Sequence, residues 1–485
     1  MFERLSRDTI SYGIAMLLIR GLQIFLLPIY TRVLGAQDYG FLELITIAGA
    51  LVNLTVALEI SQGMGRYVAD ASDEGVRRAY ATTAFGFSLL AYCLFALIVW
   101  TFALELSEIL FFHQADSYIL TLAAWAIAVN GVFVIAQDLL RWHLRPGAYL
   151  MASIAYALGS AGIGIWFVSV LGMGVAGVFW GQLAGAFMGL IFSLSGSAGL
   201  LGWLFDVRRL RTMLSYSLPL VISGVAVFGS SFIDRIVVRD VLGLEALGVY
   251  GVTARFASVV SILAIGFQFA LSPLVFRHWQ EPEAASILGK VFRLYLVAMV
   301  ALVGALSLLS EIIITTMTGP AFHAGNTVLP LLALGAMFST LYVFAPGLFL
   351  SGQTGKVALL NVLGAIINLC ASLILIPWLG FFGAALAATI TPACVFIGYL
   401  IFGHRWFRVQ YQGVRVAFSL FLAMGLVLVG VFWPISSTPW EPIILILKLI
   451  LWIFCVSLAF LVGTDVEDRR SALQFVGALA LKRFI

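Results

Sequence analysis

Fourteen apolar runs, each long enough to cross a lipid bilayer as a helix, dominate this chain and limit what it can fold into. A spanning helix needs about 20 apolar residues. The runs fall at 9–31, 41–64, 82–104, 117–139, 148–170, 175–197, 214–238, 246–273, 291–315, 326–349, 357–378, 382–402, 416–433 and 442–462. Lipid offers no partner to backbone N–H and C=O groups, so such runs satisfy themselves as helices. The expected fold is all-α and polytopic, with 14 transmembrane helices. Only 10% of the 485 residues are charged and the mean hydropathy is +1.08. Soluble domains average about 25% charged, so a soluble enzyme is excluded. The net charge of +4 comes from loop arginines and implies no nucleic-acid partner.

The distribution of Lys and Arg tests the span count, because cytoplasmic loops carry an excess of both. With both termini cytoplasmic, twenty-one of the 27 fall in inner loops and tails, among them Arg66, Arg77, Arg78, Arg208, Arg209 and Arg211. Only Arg32 and Arg239 lie in outer loops, and Arg20, Arg235, Arg255 and Lys448 lie within runs. A missed span would scramble this alternation from that point on. The first run reads as an uncleaved helix, and 465–485 as a short cytoplasmic tail. No loop is long enough for a catalytic domain. Cys93, Cys370, Cys394 and Cys455 are scattered through apolar segments with no metal-ligand spacing. No catalytic residues and no metal site are expected.

The chain repeats itself at an offset of 208. Val33-Leu34-Gly35 corresponds to Val241-Leu242-Gly243, Gly40 to Gly248, Gly147 to Gly355, and Leu171-Gly172 to Leu379-Gly380. Ser11-Tyr12 matches Ser215-Tyr216 at 204. The expected organisation is an N-terminal six-helix lobe (1–205), a parallel C-terminal six-helix lobe (206–403), two extra helices (404–464) and the tail. Transporters built from parallel repeats bind cargo between the halves.

Ionisable groups in lipid cost about 2.5–3.5 kcal/mol each on insertion scales, and they mark polar pathways. None of those here is duplicated: Arg20 matches Gly224, Glu59 matches Phe267, Asp234 and Arg235 match Tyr30 and Thr31, and Arg255 matches Ile47. An asymmetric set fits an asymmetric ligand or a coupling site. Arg20 (with Gln23 nearby) and Arg255 are deep, basic and on opposite lobes. Glu59 is a candidate proton or cation site, or the partner in an ion pair near the interface. Asp234 is a second coupling candidate, and the Asp234–Arg235 pair can equally form a local ion pair with Arg239. Lys448 either lines a cavity or snorkels. Asn130, Gln137 and Arg141 form a stripe that lines a cavity or joins helices.

Three motif matches carry no function. Gly172-x-Gly174-x-x-Gly177 lacks the strand–helix setting of a dinucleotide site. The sequon at Asn53 is inside a span. Gly181, Gly185 and Gly189 form a small-residue ridge for close helix packing.

The stretch Leu26-Leu27-Pro28-Ile29-Tyr30-Thr31-Arg32-Val33-Leu34-Gly35 with Asp38-Tyr39-Gly40 resembles the polysaccharide-transporter branch of the multidrug/oligosaccharidyl-lipid/polysaccharide exporter superfamily. Val241-Leu242-Gly243 with Tyr250, and Ser351-Gly352-Gln353-Thr354-Gly355-Lys356, echo it in the second half. The resemblance runs over essentially the whole chain. It implies a V-shaped pair of lobes and alternating access in a bacterial inner membrane. Its Wzx-type members flip undecaprenyl-pyrophosphate-linked oligosaccharides for surface polysaccharide assembly. The implied partners are that polyprenyl-pyrophosphate-linked oligosaccharide, membrane lipid, and a polysaccharide polymerase or glycosyltransferases. Arg20 and Arg255 would clamp the pyrophosphate. No cofactor is implied beyond H+ or Na+ coupling. Two departures stand out: fewer intramembrane cations than strongly cationic family members have, and the acids Glu59 and Asp234, which resemble the cation sites of drug/cation antiporters. A cation-coupled exporter of drugs or small amphiphiles, and a lipid II flippase, are therefore the alternatives.

Overall fold

The computed structural model describes residues 21–111, 117–202, 205–265, 267–268, 281, 283–433 and 441–469. Among them every regular element is helical. The N-terminal compact unit extends to Phe228, and the second runs from Gly229 to the C-terminus. The division falls inside one long helix.

In the first unit α1 covers 21–33, followed by α2 (Ala36–Thr55), α3 (Ile60–Asp70), α4 (Glu74–Thr101), α5 (Ala103–Phe111), α6 (Ser117–Trp142), α7 (Pro146–Ile165), α8 (Gly174–Gly196) and the first part of α9 (Val207–Leu242). Local chemistry sets the boundaries. Asp73 caps α4 by accepting from the Val76 N–H at 2.9 Å. Pro146 opens α7, where a missing N–H costs nothing. In the second unit α9 leads to α10 (Leu244–Ala257), α11 (259–265), α12 (Ala284–Leu308), α13 (Ser310–Met317), α14 (Leu329–Thr340), α15 (Gly347–Leu350), α16 (Thr354–Leu379), α17 (Phe381–Gly403), α18 (Gly413–Phe432) and α19 (Glu441–Val462).

Twelve described helices are long and apolar enough to cross a membrane, and thirteen spans result if the bent pair α2–α3 counts as one. These thirteen coincide with the second to fourteenth runs of the sequence. The first run, 9–31, lies mostly outside the described residues, so the expected count of fourteen is matched only from the second span onward. Span 2 is not one continuous helix. It breaks between Thr55 and Ile60 and bends by 40°. Leu58 and Glu59 both take the left-handed conformation, φ 51° and 52°, which costs an L-residue about 1–2 kcal/mol. Hydropathy is blind to this break because the residues around it remain apolar.

One pair of glycines related by the offset shares a backbone conformation. Gly172 and Gly380, equivalent at the 208 offset, have φ of +64° and +56°. A side chain there would be strained, and the tight turn they allow separates α7 from α8 and α16 from α17. Each of these pairs is closely packed within its own unit. The Gly181–Gly185–Gly189 ridge does what its spacing implies. A Cβ at Gly181 would stand 2.5 Å from Gly164 Cα on α7, and one at Gly189 would stand 2.7 Å from the Phe133 ring on α6. Helices α18 and α19 pack on α12 in the second unit. Leu90 and Trp100 on α4, Phe421 on α18 and Ile450 on α19 point outward and exposed, as lipid-facing side chains do.

Candidate functional site

Each unit holds its own polar cluster inside apolar helices. In the first unit the break in span 2 creates the cluster. Ending α2 early turns Glu59 inward as the N-terminal flank of α3, half-buried. Ser61, in the first turn of α3, donates a hydrogen bond to the Asp138 carboxylate on α6. Arg141 Nη2 meets the other oxygen of Asp138 at 3.0 Å, and its guanidinium lies 5.1 Å from the Trp142 ring centre. Gln62 hydrogen-bonds Glu59, and Asp138 is within electrostatic reach of it. Tyr92 Oη donates to Asn53 Oδ1 at 3.0 Å, next to the break. Two carboxylates, a serine, a glutamine and one guanidinium therefore converge where α2, α3 and α6 meet.

The stripe on α6 divides its labour. Gln137 Nε2 donates to Ser153 Oγ at 2.6 Å, which joins α6 to α7. Asn130 hydrogen-bonds Tyr156, also on α7. Arg141 alone turns to the carboxylate. Asp138 is the residue that sequence reasoning missed. Its signal was present: a carboxylate inside an apolar run, three residues before an arginine.

In the second unit Asp234 on α9 is 4% exposed and Tyr250 on α10 is 1% exposed. Tyr250 Oη donates to Asp234 Oδ2 at 2.5 Å. The Arg235 guanidinium lies 4.9 Å from the Phe232 ring centre. Arg255 is half-buried near the end of α10, where Ser258 Oγ donates to its carbonyl at 2.6 Å. One turn before Asp234, Ser230 packs against α16: a Cβ at Gly364 would come 2.9 Å from its Oγ. Four residues further along α16, Asn368 is buried and accepts a hydrogen bond from Ser372 at 3.4 Å. Thr391 on α17 is buried with its hydroxyl unpartnered.

Lys448 is buried on α19, with its Nζ 3.5 Å from the Leu308 carbonyl that ends α12. Glu311 on α13 is within electrostatic reach. The structure places it in a packed helix junction. Gln23 on α1 is exposed, and Arg20 lies outside the described residues. Among the described residues no group of three or more His, Cys, Asp or Glu could hold a metal ion.

A model of one family, described as polysaccharide biosynthesis protein, matches residues 29–327, more than half of the chain. The chain belongs to this polysaccharide biosynthesis protein family. It is 24% identical over 395 residues to the probable low-salt glycan biosynthesis flippase of Haloferax volcanii, covering 80% of this chain and 81% of that one. Its fold is similar to that of the lipid II flippase MurJ in an inward closed conformation, with TM-score 0.69 and 16% identity over 93% of this chain and 98% of that chain. It is also similar to a multidrug resistance MATE family transporter in an inward-facing conformation, with TM-score 0.61 and 15% identity over 84% and 99%. The fold is that of the exporter superfamily that the N-terminal motif resembles. The protein is a multi-pass membrane protein of the polysaccharide biosynthesis family.

Proposed function

We propose that this polysaccharide biosynthesis family member flips a polyprenyl-pyrophosphate-linked oligosaccharide across the cytoplasmic membrane, the inner membrane of a bacterium, by alternating access. Both termini are cytoplasmic, in keeping with the alternation of arginines. The observation that carries the reading is Arg255, a guanidinium held half-buried within an apolar helix of a chain from this family. A lipid-linked pyrophosphate carries about two negative charges, and the planar arginine fork suits its oxygens better than a lysine point charge does. Arg20 and Arg255 each supply such a fork, while Gln23 and Arg235 line the polar path. The oligosaccharide travels in water and the prenyl tail in lipid. A polymerase and glycosyltransferases act before and after the translocation.

Glu59 and Asp234 couple transport to H+ or Na+. The Asp138–Ser61 contact supports a role for the first. Burial of Asp234 against the Tyr250 hydroxyl supports the second. The same acids favour the runner-up, a cation-coupled exporter of amphiphiles, which predicts drug efflux dependent on Glu59 or Asp234. A lipid II cargo is the other alternative.

The deciding experiment measures translocation of a fluorescent undecaprenyl-pyrophosphate oligosaccharide in proteoliposomes. Wild type is expected to move it, and Arg255→Ala to lose at least 90% of the rate, roughly the tenfold that 1.4 kcal/mol represents, at unchanged protein level. Equal rates for wild type and empty vesicles overturn the reading.

A further inference from the structure

The arginine-rich end of the first unit carries an aromatic stack that neither cluster uses. Tyr67 of α3 stacks on Tyr80 of α4 with ring centres 5.3 Å apart and planes 15° apart. Tyr216 of α9 meets Tyr67 edge-on at 6.5 Å. An arginine closes each end. The Arg66 guanidinium lies 4.6 Å from the Tyr216 ring centre and 5.9 Å from that of Tyr67. The Arg209 guanidinium lies 5.4 Å from the Tyr80 ring centre. Three helices therefore build one continuous stack, and their approach is enforced by glycine. A Cβ at Gly63 would stand 2.9 Å from the Met213 carbonyl of α9. One at Gly65 would enter the Trp142 ring.

The two arginines differ in what else they hold. Arg209 shares charge with Asp206 at 3.6 Å. Arg66 is exposed and, among the described residues, forms no ion pair, even with Asp70 one turn further along α3. Stacking fixes a guanidinium by its face and leaves its five in-plane N–H donors free. A cation so positioned, with no carboxylate to displace, is a preformed fork for a phosphate group.

We propose that Arg66, held on the Tyr216–Tyr67–Tyr80 stack, binds the phosphate oxyanions of a lipid headgroup at the arginine-rich mouth of the first unit. The inference rests on the headgroup reading above but concerns a subsite separate from Arg20 and Arg255. Two sources share the chemistry: the lipid-linked pyrophosphate and an anionic phospholipid.

The test titrates the purified full chain with inorganic pyrophosphate by calorimetry, in the wild-type and Arg255→Ala backgrounds. In both, Arg66→Ala is expected to weaken binding about tenfold, as loss of a charge-assisted bidentate contact does. Tyr216→Leu weakens it about threefold by freeing the guanidinium, and Tyr216→Phe, which keeps the ring, leaves it unchanged. Arg66→Lys falls between wild type and alanine and serves in its place should the alanine variant fail to give a monodisperse peak. Native mass spectrometry from phosphatidylglycerol nanodiscs separates the sources: adducts lost in Arg66→Ala indicate the phospholipid, and pyrophosphate binding lost alone indicates the cargo headgroup. Wild-type binding of both probes by the Arg66 variants overturns the proposal, whatever the flipping assay shows. Absence of flipping by a wild type that binds pyrophosphate through Arg66 overturns the headgroup reading instead.

Discussion

Tyr250 on α10 donates a 2.5 Å hydrogen bond to Asp234 on α9, and both side chains are almost fully buried. Sixteen residues separate them in sequence, on consecutive helices of the second unit. A buried carboxylate stripped of its donor bears a desolvation cost, and hydrogen bonds to charged groups contribute about 1.5–3 kcal/mol. Tyr250→Phe is therefore expected to lower stability by about that much, read as the midpoint of thermal unfolding in detergent. If Asp234 couples transport, the same variant also shifts the ion concentration for half-maximal flipping. A variant with wild-type unfolding would show that the bond contributes nothing.

Gly181 lies against the α7 backbone, where nothing can move aside. Overpacking a fitted seam costs about 1–3 kcal/mol. Gly181→Ala is expected to lose at least this, since its Cβ would meet Gly164 Cα at 2.5 Å. Gly162→Ala, on the same helix pair but with open space at its Cβ, should behave as wild type. Paired thermal melts of the two variants check the contrast.

Leu58 holds φ +51° inside a membrane-embedded break. A β-branched residue is the worst occupant of that conformation and glycine the best. Leu58→Val is expected to destabilise the chain by about 1–2 kcal/mol, whereas Leu58→Gly trades lost packing for relieved strain and stays near wild type. Equal melting of the two would mean the left-handed turn is not retained.

The segment after α19 is bound to the rest of the second unit by charge. Arg293, 3% exposed, grips Asp468 with two hydrogen bonds of 2.7 and 3.1 Å, and Arg293 Nη1 also reaches the Gln410 carbonyl at 3.2 Å. Removing one partner of a buried pair costs about 3–5 kcal/mol, so Asp468→Ala should unfold well below wild type. Nearby Asp465 is held below the usual carboxylate range by the Val466 N–H, then by Gln412 and Arg415. A depressed folded value means that its contribution is complete above the ordinary aspartate range and disappears as pH falls through the lowered value. Thermal melts of wild type between neutral and acid pH should show this loss, reduced in Asp465→Asn.

Hydropathy and charge alternation were enough to place spans 2 to 14, because insertion into lipid depends on local composition that no tertiary contact overrides. The turns at Gly172 and Gly380 were legible too, because glycine takes positive φ without strain. The family resemblance in 26–40 was legible as well. The pairings were not. Ser61 with Asp138, Tyr250 with Asp234, Arg293 with Asp468 and Arg66 with Tyr216 each depend on the rotation and depth of one segment against another. Arg293 is buried against a residue 175 positions away, a pairing that no local pattern announces. The burial of Lys448 against the end of α12 was equally absent from the sequence. Sequence alone determined which segments are apolar and long enough to enter the membrane. Only the tertiary structure decided which ionisable groups meet inside, because that is set by helix register, a few degrees or ångströms of which composition carries no record.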